Sequence, residues 1–130
     1  MVTLTKILVI DDDPDIGNMF KMILEYKGYT VIVLENTEQA ASIMRNGAIN
    51  LLIMDMHLSG INGADICAEF KKDNSISHIP LMMMSAHPDA KQVCIDAGAD
   101  DFISKPFDIE DLVSKISLLM QKSIRERANL

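Results

Sequence analysis

Three aspartates, a serine and a lysine could carry chemistry in this chain, and each comes directly after, or within two residues of, a short apolar run. Asp11 and Asp12 follow Ile7-Leu8-Val9-Ile10, and Asp55 follows Leu51-Leu52-Ile53-Met54. Ser85 follows Leu81-Met82-Met83-Met84, and Lys105, with Pro106 behind it, comes just after Phe102-Ile103. Carboxylates crowded into one pocket repel and resist ionising together. A hard divalent cation removes that conflict. Mg2+ prefers oxygen ligands and often bridges carboxylates to a phosphate. A cation, an ammonium and a hydroxyl around a carboxylate are the parts that phosphoryl transfer needs, because that reaction rests on positioning and charge stabilisation. The carboxylate can itself be the nucleophile and form an aspartyl-phosphate. Asp55 fits that role: it stands alone after its apolar run, and Gly60 and Gly63 mark a flexible turn behind it that lets ligand and backbone approach. Asp11 and Asp12 suit a cation, one directly and one through water.

These residues meet only if the apolar runs lie side by side. The intervening text supports that. Continuous apolar runs predict strands buried on both faces. Between them lie amphipathic stretches with one apolar stripe each. The first helix is capped by Asp13, has Pro14 in its first turn, carries Ile16, Met19, Phe20, Ile23 and Leu24 inward, and ends at Gly28. Thr30 to Leu34 is a second strand that ends without a chemical residue, as an edge strand would. Asn36 with Gln39 predicts a capping box for the second helix, whose inner face is Ala40, Ile43 and Met44. Ile66, Cys67 and Phe70 start the buried face of a third helix. Ala90, Val93, Cys94 and Ala97 face inward from a short fourth. Asp108 caps the last, whose inner stripe is Ile109, Leu112, Val113, Ile116, Leu119 and Met120. Five such βα units predict an α/β fold with an open, doubly wound parallel sheet. In such sheets ligands bind beyond the carboxyl ends of the strands.

The 130 residues make one domain, large enough to fold around a core of its own. Hydrophobic residues are 48% of the chain, which excludes a disordered chain. The net charge of -7 argues against a nucleic-acid face but not against an anionic ligand held through a cation. Two cysteines, Cys67 and Cys94, make no disulfide scaffold and fit a reducing cytoplasm. The N-terminus is no signal peptide, and no run approaches a membrane span. Asp13 and Asp15 read as helix cap and first-turn acid. A strand-end serine such as Ser85 could equally serve only backbone groups. Most of the ten methionines, Met82 to Met84 among them, read as core filler.

Four segments, VIDDDPDI, LLIMDMHLSGINGADI, MMMSAH and FISKPF, resemble in order the motifs of receiver domains of two-component response regulators. The resemblance runs from residue 5 to about 121. It implies a domain over 1–122, with 123–130 as helix end or tail, and a flavodoxin-like (βα)5 fold with strand order 2-1-3-4-5. It implies that the protein is a phosphoacceptor rather than an enzyme with its own substrate. Asp55 would accept a phosphoryl group from the phosphohistidine of a sensor histidine kinase or a histidine phosphotransfer protein. Asp11, Asp12, Asp55 and the His57 carbonyl would hold Mg2+, and Ser85 and Lys105 would contact the phosphoryl oxygens. Ser85 would be drawn inward and Phe102 would rotate into the vacated space. The surface of the fourth helix, fifth strand and fifth helix would then change to control an output protein or a fused output domain. The Lys105-Pro106 peptide is expected to be cis. Three departures stand out. Ser59 replaces a frequent proline, the stretch from Ser85 to Lys105 is short, and Phe102 lacks the hydroxyl of the frequent tyrosine.

His57 and His87 each lie two residues past a site residue. The bland reading is two solvated loop histidines. A zinc site made from them with carboxylates lacks the tight ligand spacing usual for zinc. The resemblance implies instead that they border the path of the hydrolytic water and tune the lifetime of the phosphorylated state. His78 is a plain loop residue. The rival function is a small Mg2+-dependent phosphatase with an aspartyl nucleophile, which would want a second aspartate where His57 stands. A flavin carrier on the same fold would be repelled by Asp11, Asp12 and Asp13.

Overall fold

The computed structural model describes residues 5–128, with side chains described for 5–122. In chain order the elements are β1 (Lys6–Ile10), α1 (Pro14–Tyr26), β2 (Thr30–Leu34), α2 (Ala40–Asn46), β3 (Leu51–Asp55), β4 (His57–Leu58), β5 (Ile61–Asn62), α3 (Gly63–Lys72), β6 (Leu81–Ser85), α4 (Ala90–Asp96), β7 (Asp101–Ser104) and α5 (Ile109–Ala128). Five strands form one parallel sheet of order β2-β1-β3-β6-β7. That is the expected 2-1-3-4-5, since β4 and β5 only pair with each other as a small antiparallel hairpin.

Strand side chains alternate between faces, and both faces here are covered. Leu8, Ile10, Leu52, Met54, Met83 and Phe102 point into a core shared with α2, α3 and α4. Ile7, Val9, Leu51, Ile53, Met82, Met84 and Ile103 point into the core under α1 and α5. Two apolar sides explain why the strands read as unbroken apolar runs rather than alternating ones. The register then aligns the strand ends. Ile10 pairs with Met54, so Asp11 comes level with Asp55. Ser85 pairs with Ser104, so Lys105 emerges one step beyond Ser85.

Local chemistry mostly follows expectation. Asp13 accepts a hydrogen bond from the Asp15 N–H and caps α1, with Pro14 in the first turn. Gly28 closes that helix with φ +99°. Three expectations fail. The Asn36–Gln39 capping box does not form: Asn36 Oδ1 accepts from the Glu38 N–H in a local turn, and α2 starts only at Ala40 without a side-chain cap. Asn favours such turns over helix starts when nothing packs the helix earlier. Val93 is 46% exposed, because α4 has only seven residues and turns Ala90 and Cys94 inward. Ile109, at the first turn of α5, is 48% exposed and lines a surface groove with Ile16, Met19 and Ile23 of α1. Met22 also stands out of the core. The region expected as a helix end or tail is helical through Ala128; the side chains of 123–130, and residues 129–130 altogether, lie outside the described residues. Among the described residues no helix is long and apolar enough to cross a membrane.

Cys67 and Cys94 are free and fully buried. Burial pushes the Cys67 thiol up to about 11 and raises Cys94 as well. Both are therefore protonated and shielded at neutral pH. In native buffer neither thiol should react with a disulfide reagent faster than the fold opens, whereas both should react at once in urea. Rapid labelling of the native protein would contradict this packing.

Candidate functional site

The parallel register brings the loop after β1, the end of β3, the end of β6 and the loop after β7 to one edge of the sheet. Asp11, Asp55 and Ser85 are the buried polar residues among those described. Each is satisfied. Asp11 Oδ1 accepts from the Asp13 N–H at 2.9 Å, and its Oδ2 accepts from Lys105 Nζ at 3.1 Å. Asp55 Oδ1 accepts from the His57 N–H at 3.0 Å, and its Oδ2 accepts from Lys105 Nζ at 2.8 Å. One ammonium thus bridges two buried carboxylates from two strands. Ser85 Oγ accepts from the His87 N–H at 3.0 Å, and its carbonyl accepts from the Lys105 N–H at 2.9 Å. The Lys105–Pro106 peptide is cis, as expected.

Asp12 completes the acidic group. Carboxylate oxygens of Asp11, Asp12 and Asp55 lie within 4.8 Å of one another. If all three ionise, a single ammonium faces three negative charges, and the remainder attracts a cation. Burial raises the Asp11 carboxyl above its ordinary value, even against the hydrogen bonds from Asp13 and Lys105. Burial alone would lower the Lys105 ammonium. Its hydrogen bonds to Asp55 and Asp11 outweigh that, so its net shift is upward and it stays charged.

The residues behind Asp55 are tighter than their glycines suggest. The stretch expected to be a flexible turn is a hairpin folded back on β3. The Gly63 N–H donates to the Met56 carbonyl at 2.6 Å, and Asn62 Oδ1 caps α3 by accepting from the Ala64 N–H. A Cβ on Gly63 would lie 2.5 Å from the Asp55 carbonyl oxygen and 2.8 Å from Met56 Cα. Glycine is required there by close backbone approach, while Gly60 supplies the turn with φ +71°.

Two arrangements escaped the sequence reading. Ser59, noted only for not being proline, donates its hydroxyl to Asp12 Oδ2 at 2.6 Å and orients the third carboxylate. His57 and His87, 30 positions apart, have ring centroids 4.8 Å apart with planes tilted by 58°. No local signal in the sequence pairs them. Phe102 is 5% exposed and already packed in the core with Met83, so its ring stands inward here rather than waiting outside.

Residues 7–117 match the family model described as response regulator receiver domain. The DNA-binding response regulator MtrA of Mycolicibacterium smegmatis is 32% identical over 127 residues, covering 96% of this chain and 54% of its own length. The phosphate regulon transcriptional regulatory protein PhoB of Pseudomonas aeruginosa is 32% identical over 119 residues, covering 90% and 52%. The chain spans about half the length of these relatives. Among solved structures, a putative response regulator from Chloroflexus aurantiacus superposes with TM-score 0.86 at 28% identity, covering 92% of this chain and 99% of that one. A CheY-like receiver domain protein from Methanospirillum hungatei gives TM-score 0.86 at 27% identity, covering 95% and 99%.

Gly63→Ala should push the Asp55–Met56 backbone aside. We expect a loss of about 1–3 kcal/mol in urea unfolding, as overpacking a tight site costs. Amide shifts should centre on Asp55 to His57. A variant as stable as the parent, with those amides unmoved, would contradict the contact.

Proposed function

The chain belongs to the response regulator receiver domain family, and from that premise we propose that it is a phosphorylation switch whose acceptor is Asp55, over a receiver domain spanning 1–122. The observation that carries this reading is Lys105 Nζ, held between Asp55 Oδ2 and Asp11 Oδ2 at 2.8 and 3.1 Å beside a third carboxylate. The donor set is all oxygen and over-supplied with negative charge, which fits Mg2+. Asp11, Asp12, Asp55 and the His57 carbonyl would hold the ion, whose contribution when bound is to neutralise carboxylate and phosphoryl charge.

The chain's own residues do the rest. An Asp55 carboxylate oxygen attacks the phosphorus of a phosphohistidine. The O–P bond forms as the P–N bond breaks, and the donor imidazole leaves with the electron pair of that bond. Lys105 lies against the accepting carboxylate and stays charged, so it can meet the phosphoryl oxygens as they arrive. The Ser85 hydroxyl accepts from the His87 amide and keeps its own proton to donate to a phosphoryl oxygen. Water later attacks phosphorus, the O–P bond breaks, and Asp55 returns as carboxylate with inorganic phosphate released. The chain is thus a phosphoacceptor that assists its own turnover.

A sensor histidine kinase or histidine phosphotransfer protein is the donor in this reading. An apolar groove of about 510 Å³, lined by Ile16, Met19, Ile23, Phe107 and Ile109, opens beside Lys105 and supports docking of an apolar surface there. The output is a change in the face built from α4, β7 and α5, where Asp101 pairs with Lys115 at 3.4 Å. That face acts on an output protein or a fused output domain rather than on nucleic acid, and the setting is cytoplasmic. A phosphatase acting on free phosphate esters is the weaker reading, since His57 occupies the place where such an enzyme wants its acidic aspartate.

Acetyl phosphate with Mg2+ should label Asp55, and Asp55→Asn should reduce labelling to background. Labelling that survives this change would remove Asp55 from the role. Beryllofluoride with Mg2+ should shift amide signals around Ser85, and unmoved signals would contradict a switch there. The outcome at Phe102 is smaller if its ring keeps the inward position seen here. For His57 and His87 at the mouth of the site, His57→Ala or His87→Ala should change the decay rate of the phosphorylated protein severalfold, timed by phosphate release. Identical decay in both variants would rule out lifetime tuning.

A further inference from the structure

Two histidines, one opening β4 and one in the loop after β6, lie side by side next to the proposed acceptor, and their geometry has a chemical consequence. His57 follows β3 and His87 follows β6. Each sits two residues past a site residue and is anchored by its backbone N–H: His57 to Asp55 Oδ1, His87 to Ser85 Oγ. These matching anchors hold the rings close, with centroids 4.8 Å apart and planes tilted by 58°. Both rings are exposed, so no core packing explains the pairing. Two imidazoles that share a tetrahedral zinc, each through a nitrogen about 2.1 Å from it, have centroids roughly 5 Å apart. The rings also line a cavity of about 220 Å³ with Met56, Asp89, Ala90 and Val93. Asp89 is an exposed carboxylate on that wall, able to turn towards a bound ion.

We propose that His57 and His87 form a second cation site, distinct from the carboxylate trio, that takes a borderline transition-metal ion of the zinc class across the entrance to Asp55. Ligand chemistry separates the two sites. Imidazole nitrogen suits zinc, copper and nickel, whereas the all-oxygen trio suits magnesium. The long sequence separation that counts against zinc is closed by the sheet, because β3 and β6 are neighbours in it. An ion held by both rings ties the hairpin of β4 and β5 to the loop after β6. It covers the acceptor carboxylate and slows the approach of a phosphodonor. This last step rests on the proposed role of Asp55; the binding itself does not.

The test is a Zn2+ titration of the unphosphorylated chain in excess Mg2+, followed by calorimetry. The parent and His78→Gln, altered at the opposite end of the strands, should bind one zinc with equal affinity. His57→Gln and His87→Gln should each bind about tenfold or more weakly. No zinc binding by the parent, equal affinity in all four chains, or loss in only one of the two variants would overturn the shared site. Equal affinity in all four would assign the ion to the carboxylates instead. In a second arm, zinc should slow labelling by acetyl phosphate in the parent but not in His87→Gln. If Mg2+ alone gives no label, the acceptor reading fails while the titration still stands or falls by itself.

Discussion

One lysine ammonium between two buried aspartates is the interaction on which the rest of this structure depends. Asp11 and Asp55 are almost completely removed from water, and a buried charge without a partner is costly. Lys105 supplies that partner from a loop on the far side of Ser85, and at a net upward shift it does not give up its proton. The balance is incomplete: Asp12 adds a third carboxylate within reach, and among the described residues Lys105 is the cation paired with this group. With all three ionised against that one ammonium, the pocket is two positive charges short, a deficit that a divalent cation would balance.

The sheet is the instrument that makes this pairing possible. Lys105 and Asp11 are 94 positions apart, and no local element could hold them together. Parallel register does so by bringing equivalent strand ends to one edge, with Asp11 level with Asp55 and Lys105 one step past Ser85. Behind Asp55 the hairpin of β4 and β5 presses Gly63 against the last carbonyl of β3, so Asp55 has little room to drift. The same neighbour relation of β3 and β6 places His57 against His87. Rigid strands thus position loops whose residues meet only there, which is the usual division between scaffold and site.

The face next to the site has a different character. Ile109 stands exposed where a core stripe was expected, and with the exposed Met22 and Tyr26 it adjoins the groove that opens at Lys105. Nothing among the described residues completes the burial of these apolar side chains, which sets this face apart from the two cores.

Much of this was written into the chain locally. Apolar runs and one-sided helices were enough to identify the strands, their parallel arrangement and the strand-end positions of Asp11, Asp55, Ser85 and Lys105, because buried strands and amphipathic helices differ in hydrophobic period. Helix starts were less legible where side chain competes with backbone, as at Asn36, whose oxygen chose a turn over a cap. Exposure was missed for Val93, in the middle of the short α4, and for Ile109, at the start of α5, because periodicity says which way a residue faces but not whether anything lies opposite. What only the tertiary structure decided are the contacts between separate elements: Ser59 on Asp12, Gly63 against Asp55, His57 beside His87, and Phe102 already inside. Such contacts depend on strand order and register, and these emerge from the packing of the whole sheet rather than from any window of residues.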